Sequence, residues 1–551
     1  MRHQKIASTI ELRFRHDGLY SVERLIAVQE YISNRSLGRA CIVCIVTSVP
    51  PLVAILLVDA LPLQSPSAGW DHNASLWIRL FISAYTLAFG VTLQFQGLVL
   101  AACLTIKKGM RVSLFTAAGY TAFLLMLSKY WVFPIPFTFV VGVPAWMLCF
   151  YLGIAFATKI NQLKKSPEFQ TQMKRFIKKL YLESNFLLIY PVYNTVFLAL
   201  SHRDQVVFVF VLPLVKVSLK KIMAAVAGDV DDIIPCMVIS VDIFNALYQS
   251  KCMQSSGSMW TTAVIILIDT LQSVYSLRHL SKQTHEVEVL GDQSINTKGL
   301  LAYVLELINA PDQLDENVMT KFRVRAFTRM RAPSGQEQIV QNIQLLQTKV
   351  KQSTSISMAL HAFVSKHLSS LGSLSRRGSF LSATQVVPLP PALRPASTSA
   401  TVKNTSTSDA EVGSESATQL RLKTQKATMI RKALQLLWSC ELLLLVEYIE
   451  AAIPFMYAIY LVALAHLPNA EYYPGMDQFS STKLTSVVTS ITIYGCLELI
   501  SLLCVHMVLR RKFNLSALHQ LACVFEGEWL ILQGTIMGWI VVVLQFTLKM
   551  S

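Results

Sequence analysis

Residues 436–465 read LLWSCELLLLVEYIEAAIPFMYAIYLVALA, and this stretch decides the fold class. It exceeds the roughly 20 apolar residues needed to cross the hydrocarbon core of a bilayer, and its only charged side chains are Glu441, Glu447 and Glu450. Backbone amides in hydrocarbon must pair internally, so only a helix or a closed barrel crosses. A barrel strand alternates apolar and polar positions, whereas this run is apolar at consecutive ones; it is a helix. Comparable runs fill much of residues 40–277 and return as far as residue 547. Across the chain 53% of residues are hydrophobic and 15% charged, with mean hydropathy +0.46, against roughly 25% charged in an ordinary globular protein. The expected fold class is all-α, a polytopic transmembrane helical bundle.

Working outward from that run, the spacing predicts spans at about 40–61, 76–104, 112–128, 135–157, 183–200, 205–221, 235–250 and 257–277, and then at 436–465, 484–508 and 522–547. The formal net charge of +16 arises from Lys and Arg in short connections beside these runs. This is the positive-inside pattern and argues against nucleic acid as a partner, because no basic and aromatic residues interleave along a polar domain. Arg13, Arg15, Arg24, Arg35 and Arg39 therefore put a basic, amphipathic segment, 1–39, in the cytoplasm, where the first span is expected to act as the insertion signal. The connection from Lys159 to Lys179, rich in Lys and Arg, is expected to lie as a basic helix on anionic lipid. Whether 235–250 crosses fixes the side of everything after it. The loop that follows is basic at both ends (Arg278 and His279, then Arg421 to Lys432), which favours the crossing and puts 278–430 inside; the alternative is an interfacial or re-entrant helix at 235–250 with the loop outside.

The organisation expected is thus a first transmembrane bundle at 40–277, a cytoplasmic insert at 278–430, and a second bundle at 436–547. The insert includes amphipathic runs such as Ile339 to Leu346, then a Ser/Thr/Pro/Ala-rich part at about 369–418 with too little apolar surface to order. In it Arg376-Arg377-Gly378-Ser379 offers Ser379 as a phosphorylation acceptor for a cytoplasmic kinase. Outside, Asn73-Ala74-Ser75 makes Asn73 a candidate glycosylation site. The 10 cysteines are scattered without C-x-x-C spacing and read as small core residues rather than as metal ligands.

The block Gly228-Asp229-Val230-Asp231-Asp232-Ile233-Ile234-Pro235, continuing through Asp242-Ile243-Phe244-Asn245-Ala246-Leu247-Tyr248 and Cys252-Met253-Gln254-Ser255-Ser256, resembles a segment of an uncharacterised multi-pass membrane protein family of plant-pathogenic oomycetes. The likeness covers roughly residues 225–275. It implies a polytopic membrane protein and carries no catalytic residues, cofactor or substrate.

Ionisable groups inside spans cost roughly 2.5–3.5 kcal/mol at a helix centre and so face a partner or a wet cavity. At 100° per residue Glu447 and Glu450 fall about 60° apart on one helix face, with Glu441 opposite Glu450. Glu447, Glu450 and Glu498, with Asp269, are the candidate intramembrane cation or proton site. Glu441, Glu526 and Glu528 fall near span ends and read as structural. Lys216, isolated in an apolar run, is expected to snorkel to the cytoplasmic edge beside Lys220 and Lys221, with pairing to Asp242 or Asp269 as the alternative. Pro144 is deep enough in its span to kink it.

No H-E-x-x-H, G-x-S-x-G, P-loop or strand-borne G-x-G-x-x-G is present, so no enzyme, cofactor or catalytic residue is expected. Two function classes remain. One is a transporter or channel for a cation or small solute that uses the carboxylates. The other is a non-transporting scaffold or receptor whose insert recruits cytoplasmic partners under phosphorylation control.

Overall fold

The computed structural model describes residues 20–136, 138–158, 165–227, 234–256, 259–291, 298–310, 408–473 and 480–545, with isolated positions between them. Ser379, the 369–407 part of the linker and half of the amphipathic run at 339–346 lie outside the described residues. Among the described residues every regular element is helical.

In chain order these are α1 (Val22–Asn34), α2 (Leu37–Thr47), α3 (Val49–Asp59), α4 (Ala74–Leu98), α5 (Ile106–Tyr130) and α6 (Thr138–Thr158). Then follow α7 (Pro167–Ala199), α8 (His202–Phe208), α9 (Val211–Ala227), α10 (Ile234–Ser255), α11 (Met259–Leu290) and α12 (Leu300–Asn309). The last are α13 (Ser408–Ala465), α14 (Ser481–Phe513), α15 (Ala517–Gly527) and α16 (Trp529–Gln545). Short polar side chains start many of them. Ser21, Ser36, Thr105, Ser166, Ser201 and Ser480 each accept from the backbone N–H three residues on, satisfying a donor that the helix cannot.

Seven of these segments are long and apolar enough to cross a membrane: Leu37–Asp59, Ala74–Leu98, Ile106–Tyr130, Val140–Thr158, Met259–Leu290, Arg421–Ala465 and Ser481–Phe513. α15 and α16 meet the same standard only together, bent by 86° at Glu528. These segments are compatible with a multi-pass membrane protein. The expected spans at 183–200, 205–221 and 235–250 fall on α7, α8–α9 and α10, which are helical but not among these seven: α8 and α9 are short, at 7 and 17 residues, and α7 and α10 are less apolar. The reason for the last two is chemical: Lys179, Glu183, Asp242 and Lys251 interrupt their apolar runs. α13 is also longer than expected. It is helical from Ser408, so the linker's last residues belong to it, and its 58 residues extend about 87 Å at 1.5 Å per residue. Pro144 lies inside α6, which continues through it.

The expected first and second bundles are interleaved. α16 packs along α4 and also touches α3 and α10, while α10 sits between α7, α9, α13 and α16. From Val238 to Ser250 every side chain of α10 is buried, as expected of a helix surrounded by others. The α4–α16 approach depends on glycine. A Cβ on Gly90 would lie 2.7 Å from the carbonyl oxygen of Gly534, so the two backbones meet as small residues allow.

Polar contacts sort into two ends of the bundle. At one, Arg24 pairs with Glu441 at 2.9 Å, Arg39 with Glu526 at 3.0 Å, Lys432 with Glu286 at 3.1 Å and Lys512 with Glu288 at 3.1 Å. Tyr20 donates to Glu441 at 2.7 Å, and burial together with that carboxylate pushes its phenol well above the ordinary range. At the other end, Asn469 donates to the carbonyls of Asp59 and Leu61 at 2.7 Å, Arg79 reaches Tyr473 at 2.6 Å, and Gln254 on α10 meets Met476 and Tyr457. Residues expected inside thus gather at one end and those expected outside at the other.

Candidate functional site

The site forms where α9, α10, α11, α13 and α14 meet. Helical spacing on α13 presents Glu447 and Glu450 on adjoining strips of one face, and both are buried, as are Asp242, Asp269 and Glu498. Two lysines from α9, Lys216 and Lys220, are buried with them. Lys216 Nζ bonds Glu450 Oε1 directly and lies 3.6 Å from Asp242 Oδ1, while Lys220 Nζ lies 2.5 Å from the same Asp242 oxygen. The expectation that Lys216 snorkels is therefore corrected. An ammonium beside two carboxylates gains more from them than from a stretch to the headgroups, and the pairing includes Asp242, the alternative partner, and Glu450, which was not foreseen.

Asp269 is held by hydrogen bonds. Gln249 Nε2 donates to its Oδ2 at 2.8 Å, Tyr494 OH donates to the same oxygen, and Asn245 Nδ2 in turn donates to Gln249 Oε1 at 2.9 Å. Glu447 and Glu498 lie within electrostatic reach of Glu450 and Asp269, with Ser501 beside Glu447. One oxygen of each, Oε2, is buried and has no hydrogen-bond partner among the described residues. The four carboxyls named from the sequence, Glu447, Glu450, Glu498 and Asp269, thus lie buried in one electrostatically interacting cluster.

The balance of charge is the informative quantity. Five carboxyls share the cluster with two lysines. An uncompensated carboxylate in low dielectric costs several kcal/mol, so neutrality requires about three further protons or cations to reside there. Among the described residues no three His, Cys, Asp or Glu groups converge as metal ligands. Each of these carboxyls can hold a proton by itself, which needs no convergence.

Sequence reasoning missed Lys220, Asn245, Gln249 and Tyr494. A detectable signal was there for the lysines, because α9 carries lone cations where the neighbouring segment carries a lone acid, and such charges in adjacent apolar runs seek each other. Asn245, Gln249 and Tyr494 have no such signature; they are ordinary residues until α10, α11 and α14 are packed.

Asn73 precedes α4 at the end of a loop, and its side chain makes no capping bond to the helix. Its side chain is buried and donates to the carbonyls of Ser65 at 3.1 Å and Gly69 at 3.0 Å. The folded protein therefore uses Asn73 to close the loop rather than presenting it as an exposed glycan acceptor. Lys179, at the end of the connection expected on lipid, is buried, donating to Glu183 at 2.6 Å and to Gln94 at 2.7 Å.

Neither a protein-family model, nor a curated protein, nor a solved structure matches this chain. The functional reading therefore stands on the site's own chemistry.

Proposed function

We propose that this chain is a membrane transporter or channel that carries protons, or a cation exchanging with them, through the carboxyl cluster formed by Asp269, Glu447, Glu450 and Glu498. In this reading eleven segments cross the bilayer: the eight apolar ones, counting α15–α16 as one, together with α7, α8–α9 and α10. The last three tolerate their charges because those charges face one another rather than lipid. The N-terminal segment and the 278–430 insert are cytoplasmic, and the Asn73 and His466–Lys483 connections are outside.

The single observation that carries this is the excess of buried carboxyls over lysines, with unpartnered oxygens on Glu447 and Glu498. A structural salt-bridge core needs no such excess. A site that binds and releases protons does, since a carboxyl already neutralised by a fixed cation has little reason to change state. Lys216 and Lys220 then serve as the counter-charges paired with Glu450 and Asp242, leaving Asp269, Glu447 and Glu498 without a paired lysine, as the carboxyls that load and unload.

The test is flux of the purified chain in proteoliposomes under an imposed pH gradient. Glu447→Gln and Glu498→Gln keep volume and hydrogen bonding but cannot ionise; each is expected to abolish pH-driven flux while the protein remains monodisperse and as thermally stable as the parent. Full activity of both variants, or no flux from the parent at any gradient, sinks the proposal and leaves the cluster as a neutral structural core.

A further inference from the structure

Away from the carboxyl cluster, an open groove of about 370 Å³ runs between α4 and α5. Phe81, Ile82 and Tyr85 of α4 and Met110, Arg111 and Leu114 of α5 line it, and its volume lies within the roughly 300–1,000 Å³ of small-molecule sites. Met110 and Leu114 are 47% and 52% exposed, so the groove opens outward rather than into the core. Both helices are long and apolar enough to cross a bilayer, where the medium against such a flank is hydrocarbon.

The charge at its edge sets this groove apart. Lys107 and Lys108 precede Arg111 by one helical turn, so the three cations share a strip of α5 that Leu114 continues. All three side chains are exposed and within reach of a ligand. Four other cations at this end of the bundle each meet a carboxylate: Arg24 with Glu441, Arg39 with Glu526, Lys432 with Glu286 and Lys512 with Glu288. Lys107, Lys108 and Arg111 meet none among the described residues. The sequence supplies no local partner either, since no Asp or Glu occurs from His72 to Pro167. Cations alone would mark only a side of the membrane. Beside an apolar groove they make a place that takes an anion and a hydrocarbon chain together.

We propose that this groove binds an anionic phospholipid, with one acyl chain lying along the groove and the head-group phosphate held at its edge by Lys107, Lys108 and Arg111. The occupant follows from complementarity. An acyl chain suits walls that are apolar, and a head group of net negative charge neutralises cations to which the protein gives no counter-ion. A zwitterionic lipid brings the same chain but no net charge. Arg111 adds direction, because a planar guanidinium takes two phosphate oxygens at once. The site requires α4 and α5 to lie in the bilayer with Lys107 at its interface, and does not depend on flux through the carboxyl cluster.

The experiment reconstitutes the full chain in vesicles containing phosphatidylserine with a diazirine on one acyl chain, and maps the labelled peptides. Labelling concentrated around residues 81–85 and 110–114 is expected, with unlabelled phosphatidylserine competing at least tenfold better than unlabelled phosphatidylcholine. The triple variant Lys107→Gln, Lys108→Gln, Arg111→Gln should lose that preference at least tenfold, while a diazirine-bearing phosphatidylcholine labels it as it labels the parent. High salt should erase the preference on the parent chain itself, an arm that stands even if the triple variant fails to fold. Ile82→Trp with Leu114→Trp fills the groove and should reduce labelling by both lipids. Equal competition by the two lipids, labelling spread evenly over all membrane-facing helices, or a preference that survives high salt or the triple variant overturns the proposal, whatever the flux measurements show.

Discussion

Two buried charge clusters in this molecule have opposite characters. Near Asn469 and Tyr473, at one end of the bundle, Asp59 and Arg79 form a one-to-one pair at 2.5 Å, 0% and 2% exposed, and the aspartate also accepts from Tyr473 and Gln545. The pair ties α3, α4, α16 and the 466–480 connection together. Mid-bundle, five carboxyls share two lysines. A cluster whose charges cancel is a clasp, and removing one member leaves the other stranded in low dielectric. A cluster whose charges do not cancel must take up protons or cations, and so has a population of states that conditions can change. The stoichiometry of charge, more than burial, separates structure from chemistry here.

The largest expected effect probes the clasp. Arg79→Met alone should lower stability by about 3–5 kcal/mol, because it strands Asp59 in the interior. Adding Asp59→Asn should recover much of the loss, and thermal unfolding in detergent reads both. If the double variant is no more stable than the single one, the pair is not acting as a closed unit.

Next in size is the glycine contact that sets the two clusters' common frame. Gly534→Ala drives a methyl into the Gly90 carbonyl, where the neighbour is backbone and cannot rotate away, at a cost of about 1–3 kcal/mol. Leu87, near Gly538 at 3.6 Å from its would-be Cβ, has more room, so Gly538→Ala should be milder. Equal melting temperatures for the two alanine variants would refute the close approach.

Smaller again is Asn73→Ala, which removes hydrogen bonds to Ser65 and Gly69 at a cost of about 1–2 kcal/mol. Unchanged stability, or a glycan found on the parent Asn73 in the folded protein, would contradict its loop-closing role.

The smallest stability effect is expected at the open cluster. Glu447→Gln and Glu498→Gln should each change stability by less than about 1 kcal/mol, since no fixed cation is left without its partner, yet each should eliminate pH-driven flux. Glu450→Gln should behave differently and lose stability as well, because Lys216 then keeps only the 3.6 Å contact with Asp242. Glu450→Gln and Glu447→Gln with the same stability would erase the distinction between clamped and free carboxyls.

Much of the architecture was legible from the chain. The run at 436–465 announces a membrane helix because hydrocarbon forbids unpaired amides, and the basic connections sort into one end because translocation of Lys and Arg is disfavoured. Glu447, Glu450, Glu498 and Asp269 stand out because each is anomalous in its own apolar surroundings. α7, α9 and α10 were read as spans despite the charges they bury, which lower the hydropathy by which a span is recognised. The N-terminal segment was read as basic and amphipathic, but nothing local foretold that Arg24 would bury itself against Glu441, 417 positions further along the sequence.

What the sequence determined by itself is therefore the helical class, the apolar segments and the presence of costly ionisable groups within them, because hydropathy and backbone satisfaction are properties of short consecutive stretches. Only the tertiary structure decided which of those groups meet. Pairing depends on the rotation of each helix about its axis and on which helices are neighbours, and these are set by packing across the whole bundle. Lys216 is the clearest case: its sequence neighbourhood favours an extended reach to the headgroups, and the arrival of Asp242 and Glu450 from two other helices makes the interior the lower-energy place for its charge.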